Sequence, residues 1–273
     1  MATRCQRRNG IFPLIGKSSP RDTGNLPGPG ESAVARTARV LDALRAWTGP
    51  GPIRLTEVAR LARLPITSTH RLLGELVTWD FVDRVGSGYQ LGTRLFELGE
   101  AVPRKRHLRD AALPFMQDLY EVTHGTIHLA ILDGCHALYL EKLSGHRSAK
   151  SPSRIGGRVP ATCTGIGKAQ LAVLDAREID AVFSAGLARL TRYSITDPVH
   201  FRAELDQARQ RGYAVDREEA ALGLGCVAAA IRRGPAGPVA GALSVSMPIG
   251  QLDIDRLTPA VRSVTTSLSR TLG

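Results

Sequence analysis

The sequence predicts an α+β protein with two domains, and three observations support this class. The length of 273 residues and the hydrophobic fraction of 43% suit two moderate cores. Apolar residues recur at helical spacing from residue 31 to about residue 80, whereas strand-like and helix-like segments alternate beyond residue 125. Clusters of glycine and proline interrupt these stretches. We therefore expect a small helical domain followed by a larger domain in which helices cover a sheet.

The net charge of +11 makes an acidic partner such as nucleic acid plausible, although charge does not specify a fold. Residues 31–100 are nearly neutral, with nine Lys or Arg and eight Asp or Glu, so the excess lies elsewhere. No signal peptide and no apolar run of about 18 residues is present, which predicts a cytoplasmic protein without a membrane partner. The four cysteines form no C-x-x-C pair, so we expect neither a metal nor a cofactor.

Residues 1–30 are rich in Gly, Pro and Ser and show no periodicity. They are predicted to form a disordered basic tail. A basic arm that contacts phosphates is the alternative, because five Lys or Arg side chains occur there.

The segment 31–92 predicts three helices and a hairpin. A first helix over ESAVARTARVLDALRAW ends at the GPGP sequence, and a short second helix starts near Thr56. Pro65 suits the first turn of a third helix. Helical spacing predicts that this helix buries one stripe: Thr69, Leu72, Leu73, Leu76 and Val77. The following FVDRVGSGYQLG alternates around a glycine turn, which is typical of a two-stranded hairpin.

This order of elements is that of a winged helix-turn-helix, in which the third helix enters the major groove of DNA. The polar residues at the start of the third helix are the predicted DNA-binding set: Thr67, Ser68, Thr69, His70 and Arg71. Thr69 also belongs to the buried stripe. The alternative is an amphipathic helical hairpin whose polar face is merely solvated.

Residues 93–106 are predicted to form a linker helix, and residues 107–273 a second domain. In that domain TIHLAILDG and HALYLEKLS predict a hairpin, TGIGKAQLAVL and DPVHFRAELDQARQRG predict helices, and CVAAAIRR and GALSVSMP predict late strands. This mixture is compatible with an α/β or an α+β arrangement.

Five separated segments carry a resemblance to a known family: LTEVARLARLPITSTHRLLGELVTWDFVDR, YQLGTRLFELG, GGRVPATCTGIGKAQLA, TDPVHFRAELDQARQRGYAVDREEAALGLGCVAAAI and ALSVSMP. Together they resemble the IclR family of bacterial transcriptional regulators over roughly residues 33–272. The resemblance implies a winged helix-turn-helix, a linker helix that helps dimerisation and a GAF/PAS-like effector-binding domain. It implies a homodimer or a dimer of dimers that binds double-stranded operator DNA and regulates a metabolic operon. We expect repression rather than activation, although the family contains both.

The resemblance also implies a pocket for a small effector of the organic-acid or polyol class. The matching positions for effector binding are Val159, Gly165, Ile166, Asp216, Leu224, Cys226, Ser244 and Ser246. Backbone N–H groups and hydroxyls in such a set can hold a carboxylate or hydroxyl, while Val159 and Leu224 form apolar walls. Taken singly, a strand serine or a lone cysteine is an ordinary structural residue.

Three positions depart from the family pattern. Arg63 stands where glycine is common, so the turn must form without glycine's easy positive φ. Ile66 stands where a basic residue is common after the proline, so we expect no charged DNA contact at that position. The segment HRSAKSPSR, residues 146–154, replaces apolar residues and predicts a more polar or more open pocket side.

Two other functions compete with ligand-responsive regulation. An enzyme would need a thiol nucleophile, Cys163 or Cys226, paired with a histidine, and no spacing specifies such a pair. The GIGKA segment lacks the first glycine and the final Ser or Thr of a phosphate-binding loop. The second alternative is a DNA-binding oligomeric regulator whose C-terminal domain binds no small molecule.

Overall fold

The computed structural model describes residues 31–145, 151–234 and 237–273. The predicted basic tail and the first five residues of the HRSAKSPSR segment lie outside the described residues. The described chain divides into two compact units, one ending at Pro103 and one beginning at Arg104. The two units are described separately below.

The N-terminal unit has the element order predicted for a winged helix-turn-helix. Its elements are α1 (Ala33–Ala46), β1 (Ile53–Arg54), α2 (Leu55–Ala62), α3 (Ile66–Thr78), β2 (Val82–Val85), β3 (Gly88–Leu91) and α4 (Arg94–Glu100). The three strands form an antiparallel sheet in the order β1-β3-β2. Pro65 occupies the N-cap position of α3, one residue before the predicted place. The hairpin turn contains Gly86 at φ +59°, as expected for a two-residue loop that needs a positive φ.

Apolar residues from the three helices and the hairpin form one core in this unit, which includes Val40, Val58, Leu73, Leu76 and Val82. The predicted α3 stripe is found as expected: four of its members are buried, and Val77 is half-buried against the core. Burial of these side chains, rather than intrinsic helix propensity, holds a helix of this length.

The turn between α2 and α3 adopts the left-handed conformation without a glycine. Arg63 has φ 52° and ψ 46°, and the N–H of Leu64 donates to the carbonyl of Ala59 to close the helix end. The Arg39 guanidinium donates to the carbonyl of Arg63 at 2.9 Å. Local hydrogen bonds thus hold a conformation that costs an L-residue about 1–2 kcal/mol.

The segment 93–106, predicted to form a linker helix, spans one helix and the start of the next. Helix α4 ends at Glu100, and a separate 21-residue helix, α5, runs from Pro103 to Thr123. Proline fits the start of α5 because the first N–H groups of a helix have no partner within the helix. Because proline has no backbone N–H, Pro103 cannot donate a hydrogen bond to a carbonyl of α4.

The second unit contains the predicted hairpin, helices and late strands. After α5 its elements are β4 (Thr126–Asp133), β5 (His136–Leu143), β6 (Arg158–Pro160), α6 (Gly165–Leu171), α7 (Ala176–Ser184), α8 (Pro198–Arg211), β7 (Ala214–Arg217), β8 (Leu224–Arg232), β9 (Val239–Pro248) and α9 (Ile254–Thr271). Short 3-10 turns precede α6 and α9.

The six strands form one sheet in the order β6-β5-β4-β9-β8-β7, and every pairing is antiparallel. Side chains of one sheet face pack with α6, α7 and α8, and those of the other face pack with α5 and α9. The unit is therefore an antiparallel sheet between two helical layers, which is the α+β alternative. None of the helices within the described residues is long and apolar enough to cross a membrane.

Candidate functional site

The first candidate site is the exposed start of α3. The side chains of Thr67, His70 and Arg71 are exposed, and Ser68 is half-buried. Arg71 forms an exposed ion pair with Glu75, one turn further along, with 2.8 Å between Nη1 and Oε1. Such a pair contributes little to stability, so Arg71 can exchange it for a phosphate or a base edge.

Thr69 differs from the other members of the predicted DNA-binding set, because it is not exposed. Its side chain is fully buried, and its hydroxyl donates to the carbonyl of Pro65 at 3.0 Å. A hydroxyl held by the backbone four residues earlier has no free surface to offer DNA. Thr69 therefore belongs to the core stripe alone. The neighbouring Ile66 is 53% exposed, so an apolar side chain stands at the surface of the first turn.

The second candidate site is a cavity between the sheet and α6. Its walls come from β4, β5, β7, β8 and β9, from α6 and from residues 151–152, and the residues that line it are His128, Tyr139, Ser151, Pro152, Thr164, Gly165, Ile166, Asp216, Ala220, Leu224, Cys226, Ser244 and Ser246. The volume of the cavity is only about 10 Å³. In this conformation the cavity has room for about one water molecule.

Cross-strand pairing places the polar lining residues in neighbouring rows. His128 on β4 lies opposite Ser244 on β9, and Cys226 on β8 lies opposite both Ser246 and Asp216. Because neighbours directly across an antiparallel sheet point to the same face, the strand register brings these groups together on the α6 side.

His128 is the centre of a hydroxyl cluster. Its Nε2 lies 2.7 Å from Ser153 Oγ, and its Nδ1 lies 3.5 Å from the hydroxyls of Ser244 and Ser246. Its ring meets that of Tyr139 edge-on, with 5.3 Å between the ring centroids. Burial, assisted by the charge of Lys142, lowers the pKa of His128 to about 3, so the imidazole is neutral at physiological pH.

Asp216 is joined to a buried ion pair behind the cavity. Its Oδ1 accepts from the backbone N–H of Glu219 at 2.7 Å, and the Glu219 carboxylate accepts from Lys168 Nζ at 2.5 Å. Lys168 also contacts Glu204 at 3.3 Å. Lys168 and Glu219 are buried, so removing either charge would leave the other buried without its partner.

The carboxyl of Asp216 exchanges its proton near physiological pH. Burial and then the charge of Glu219 raise its pKa from 3.8 to about 7, against the opposing effects of its backbone hydrogen bonds and Lys168. Burial likewise raises the pKa of Cys226 to about 12 and raises that of Cys163. Both thiols are therefore protonated and poor nucleophiles.

Gly165 allows the backbone of α6 to approach the sheet closely. A Cβ at this position would lie 3.1 Å from Cys226 Sγ and 3.3 Å from the backbone nitrogen of Asp216. Thr164 caps the helix by accepting from the N–H of Gly167 at 3.0 Å. The N–H groups of Gly165 and Ile166 have no acceptor within the helix, because the helix begins there.

Seven of the eight predicted effector-binding residues line this one cavity, and their binding role stays a prediction. The exception is Val159, which is buried in the core cluster beside the cavity and is not part of its lining. Sequence reasoning missed His128, Tyr139, Thr164 and Ser151. The polar side predicted from HRSAKSPSR is represented in the described residues by the hydroxyls of Ser151 and Ser153, which lie 2.7 Å apart.

The described residues contain no group of three or more His, Cys, Asp and Glu side chains placed to hold a metal ion. The winged helix-turn-helix with its exposed α3 is a fold of DNA-binding proteins, and the second unit adds a buried polar cavity.

Comparison with known families identifies this class more closely. Residues 33–86 match the IclR helix-turn-helix domain, and residues 100–270 match the domain described as bacterial transcriptional regulator IclR C-terminal. The chain belongs to the IclR family, as the sequence motifs indicated. It is therefore a DNA-binding transcriptional regulator and not an enzyme.

Similar proteins include the transcriptional repressor IclR of Escherichia coli K12, which is 35% identical over 76% of this chain and 77% of its own length. The repressor AllR of Salmonella paratyphi A is 33% identical over 89% of this chain and 91% of its own length. Two solved structures share the fold: an IclR homologue from Microbacterium hydrocarbonoxydans in complex with 4-hydroxybenzoate (TM-score 0.79, 27% identity, 88% of this chain and 99% of that chain) and the IclR of Thermotoga maritima (TM-score 0.72, 28% identity, 88% and 98%).

Proposed function

We propose that this chain is a ligand-responsive transcriptional repressor that acts in the cytoplasm as a homodimer or a dimer of dimers. A small organic acid or polyol binds in the cavity beside α6 and changes the affinity for operator DNA of a metabolic operon. The similar IclR and AllR proteins are repressors, and a structural neighbour holds 4-hydroxybenzoate. The first fact favours repression, and the second favours a small-molecule signal.

The observation that carries the ligand proposal is the concentration of polar groups around the buried cavity. His128, Asp216, Ser244 and Ser246 are each no more than 5% exposed. Buried polar groups cost free energy unless they are hydrogen-bonded, so a core without a function would favour apolar side chains here. The imidazole lies 3.5 Å from each of the two serine hydroxyls, which is long for a hydrogen bond. A ligand oxygen that contacts these groups can form shorter hydrogen bonds with them.

The protonation states distinguish the two effector classes. Because the pKa of Asp216 is about 7, an anionic effector placed beside it would stabilise the protonated carboxyl and bind with uptake of a proton. Affinity for a carboxylate effector should therefore fall as pH rises above 7. A neutral polyol can donate hydroxyls to the ionised carboxylate, and its affinity should not fall in that range.

The second candidate function is an oligomeric regulator whose C-terminal domain binds no small molecule. The observation that favours it is the cavity volume, because about 10 Å³ holds no organic effector. Under the ligand-responsive proposal, Ser151 and Pro152 must move away from α6 when the effector binds. Under the alternative, the cavity is only a packing defect bridged by water.

Operator binding is proposed to use α3 and the hairpin of each subunit. Thr67, His70 and Arg71 present exposed polar atoms, and Arg84 is exposed on the hairpin. Two copies would place two such surfaces on a pseudo-palindromic site, so that half-site spacing follows the symmetry of the dimer.

Helix α4 supports self-association. None of its residues is buried, and its large apolar side chains Phe96 and Leu98 are 68% and 52% exposed. Exposed large apolar side chains on one short helix are typical of a surface that is covered in an assembly. The Phe96→Ser, Leu98→Ser double variant should shift sedimentation toward the monomer and weaken operator binding. Unchanged sedimentation would show that α4 is not part of the interface.

The decisive experiment is a gel-shift titration on the DNA upstream of the chain's own gene, repeated with a panel of small acids and polyols and paired with calorimetry. Wild-type protein should show a specific shift that one compound releases or strengthens. Ser246→Ala should bind the operator normally while its response to that compound is reduced. A specific shift with no calorimetric signal for any compound would instead support the ligand-free alternative.

A further inference from the structure

A crevice at the opposite end of α6 from the buried cavity has the features of a second small-molecule site. It lies where β4 and β8 end, β9 begins and α6 passes into the segment before α7. Its volume is about 360 Å³, which is within the range of ligand pockets, about 300–1,000 Å³. The buried cavity offers about 10 Å³, so the crevice is the larger opening by far.

The walls of the crevice combine apolar and polar surface in similar amounts. Leu132, Val173, Leu174 and Ala240 contribute partly exposed aliphatic surface. Apolar surface that remains in contact with water inside a concave site is the usual source of affinity for a compact hydrophobic ligand. This composition favours a ligand with an aromatic or aliphatic body.

One wall contains a buried polar atom with no partner. Gln170 is fully buried and lines the crevice; its Nε2 donates to the carbonyl of Ile166 at 3.0 Å. Among the described residues no donor reaches its Oε1. A buried acceptor without a donor costs free energy, and a ligand hydroxyl or N–H would remove that cost.

The rim of the crevice carries an excess of positive charge. Arg232 and Arg233 lie at the end of β8, and Glu178 of α7 is the acidic residue among the lining side chains. The Glu178 carboxylate is engaged in a capping box with Asp175 at the start of α7. Arg233 is exposed, and no carboxylate of the described residues pairs with its guanidinium. The rim therefore suits an anionic group.

We propose that the crevice binds a compact apolar monocarboxylate that also carries a hydrogen-bond donor. The carboxylate contacts Arg233, the apolar body lies against Val173, Leu174 and Ala240, and the donor reaches Gln170 Oε1. This site is separate from the buried cavity and does not require that the cavity bind an effector. Its link to that cavity is direct, because the carbonyl bonded by Gln170 belongs to Ile166, which lines the cavity.

The test uses 4-hydroxybenzoate and benzoate as matched probes and full-length protein in isothermal calorimetry. Both carry the anion and the ring, and only the former carries a donor at the far end. Wild-type protein should bind 4-hydroxybenzoate about tenfold more tightly than benzoate, as expected for a hydrogen bond to an otherwise unpaired acceptor. Equal affinities, or no binding of either probe at millimolar concentration, would overturn the proposal.

Four variants locate the binding. Ala240→Phe fills the crevice and should abolish the signal, and Arg233→Ala, at an exposed position with little risk to folding, should weaken binding about tenfold. Arg256→Ala removes an equal charge elsewhere and should bind the probe as the wild type does, whereas Asp216→Asn reports whether the probe also enters the buried cavity. Loss of binding in Asp216→Asn with retention in Arg233→Ala would assign the probe to the buried cavity and refute the second site.

Discussion

The two units of this protein carry their functional polar groups in opposite ways. In the N-terminal unit, Arg71 stands on the surface of α3 and its only described partner is an exposed Glu75. In the second unit, Asp216 and Lys168 are buried, and their hydrogen bonds to Glu219 join α6 to the segment after β7. A change on the surface of α3 can therefore alter function alone, whereas a change beside the cavity alters stability as well.

The largest effect should come from Lys168→Met. Removing the cation leaves Glu219 buried without its partner, and the free energy of unfolding should fall by about 3–5 kcal/mol. Urea denaturation measures this loss. Arg71→Ala serves as the surface control and should change stability by less than about 0.5 kcal/mol.

A second change to the same ion pair tests the cause. Lys168→Met combined with Glu219→Leu removes both charges and should recover much of the lost stability, because no uncompensated ion remains. A loss of less than about 1 kcal/mol in the unfolding free energy of Lys168→Met alone would show that the buried pair contributes little to stability.

Asp216→Asn should change the pH dependence of stability. The pKa of Asp216 is raised in the folded state, so its contribution to stability is complete below 3.8 and is lost as pH rises toward 7. Asparagine keeps the acceptor for the Glu219 N–H but does not titrate. Relative to wild type, the variant should gain about 2–3 kcal/mol in unfolding free energy between pH 5 and pH 8.

The control for this titration is Asp206→Asn, at an exposed carboxylate on α8. This variant removes a carboxylate outside the cavity, and the pH-dependent gain expected of Asp216→Asn should exceed its own. If Asp216→Asn behaved in the same way, the carboxyl of Asp216 would have an ordinary pKa, and the proposed proton uptake with an anionic effector would fail.

Arg71→Ala should weaken operator binding by about 1–3 kcal/mol, or roughly 5- to 150-fold, with no change in effector affinity. Thr69→Val is its matched partner on the same helix turn. Because the Thr69 hydroxyl is bonded to the carbonyl of Pro65, its loss should leave operator affinity within about twofold. Fluorescence anisotropy at two salt concentrations measures both, and a larger loss for Thr69→Val than for Arg71→Ala would reverse their assignments.

The smallest effect concerns the turn before α3. Arg63→Gly should stabilise the N-terminal unit by about 0.5–1 kcal/mol, because glycine adopts a φ of 52° without the penalty paid by arginine. Arg60→Gly, inside α2, should destabilise by about 1 kcal/mol. Thermal unfolding monitored by tryptophan fluorescence distinguishes the stabilising substitution from the destabilising one.

The sequence predicted the N-terminal unit well because its contacts are local. Helical spacing alone identifies Leu72, Leu73 and Leu76 as core residues, and the glycine turn identifies the hairpin. The sequence did not separate α4 from α5, because a proline such as Pro103 can either follow the end of one helix or begin the next.

The cavity was harder to predict. Strand β4 is buried along its first five residues on both faces, so alternation does not reveal that His128 points toward α6. The bond from His128 to Ser153 and the ion pair from Lys168 to Glu219 join residues 25 and 51 positions apart. Such pairings follow from strand register and helix docking, which a single sequence does not contain. The family motifs supplied the cavity residues that periodicity could not.

The opposed pKa shifts of His128 and Asp216 have a consequence for the folding reaction itself. Between 3.8 and 6.5, the ordinary pKa values of the two side chains, the unfolded chain carries an imidazolium and a carboxylate. The folded domain holds both groups neutral across that interval. Folding there amounts to the net transfer of one proton from a histidine to an aspartate. The two sites together exchange no protons with the buffer, and their opposite slopes of about 1.4 kcal/mol per pH unit cancel.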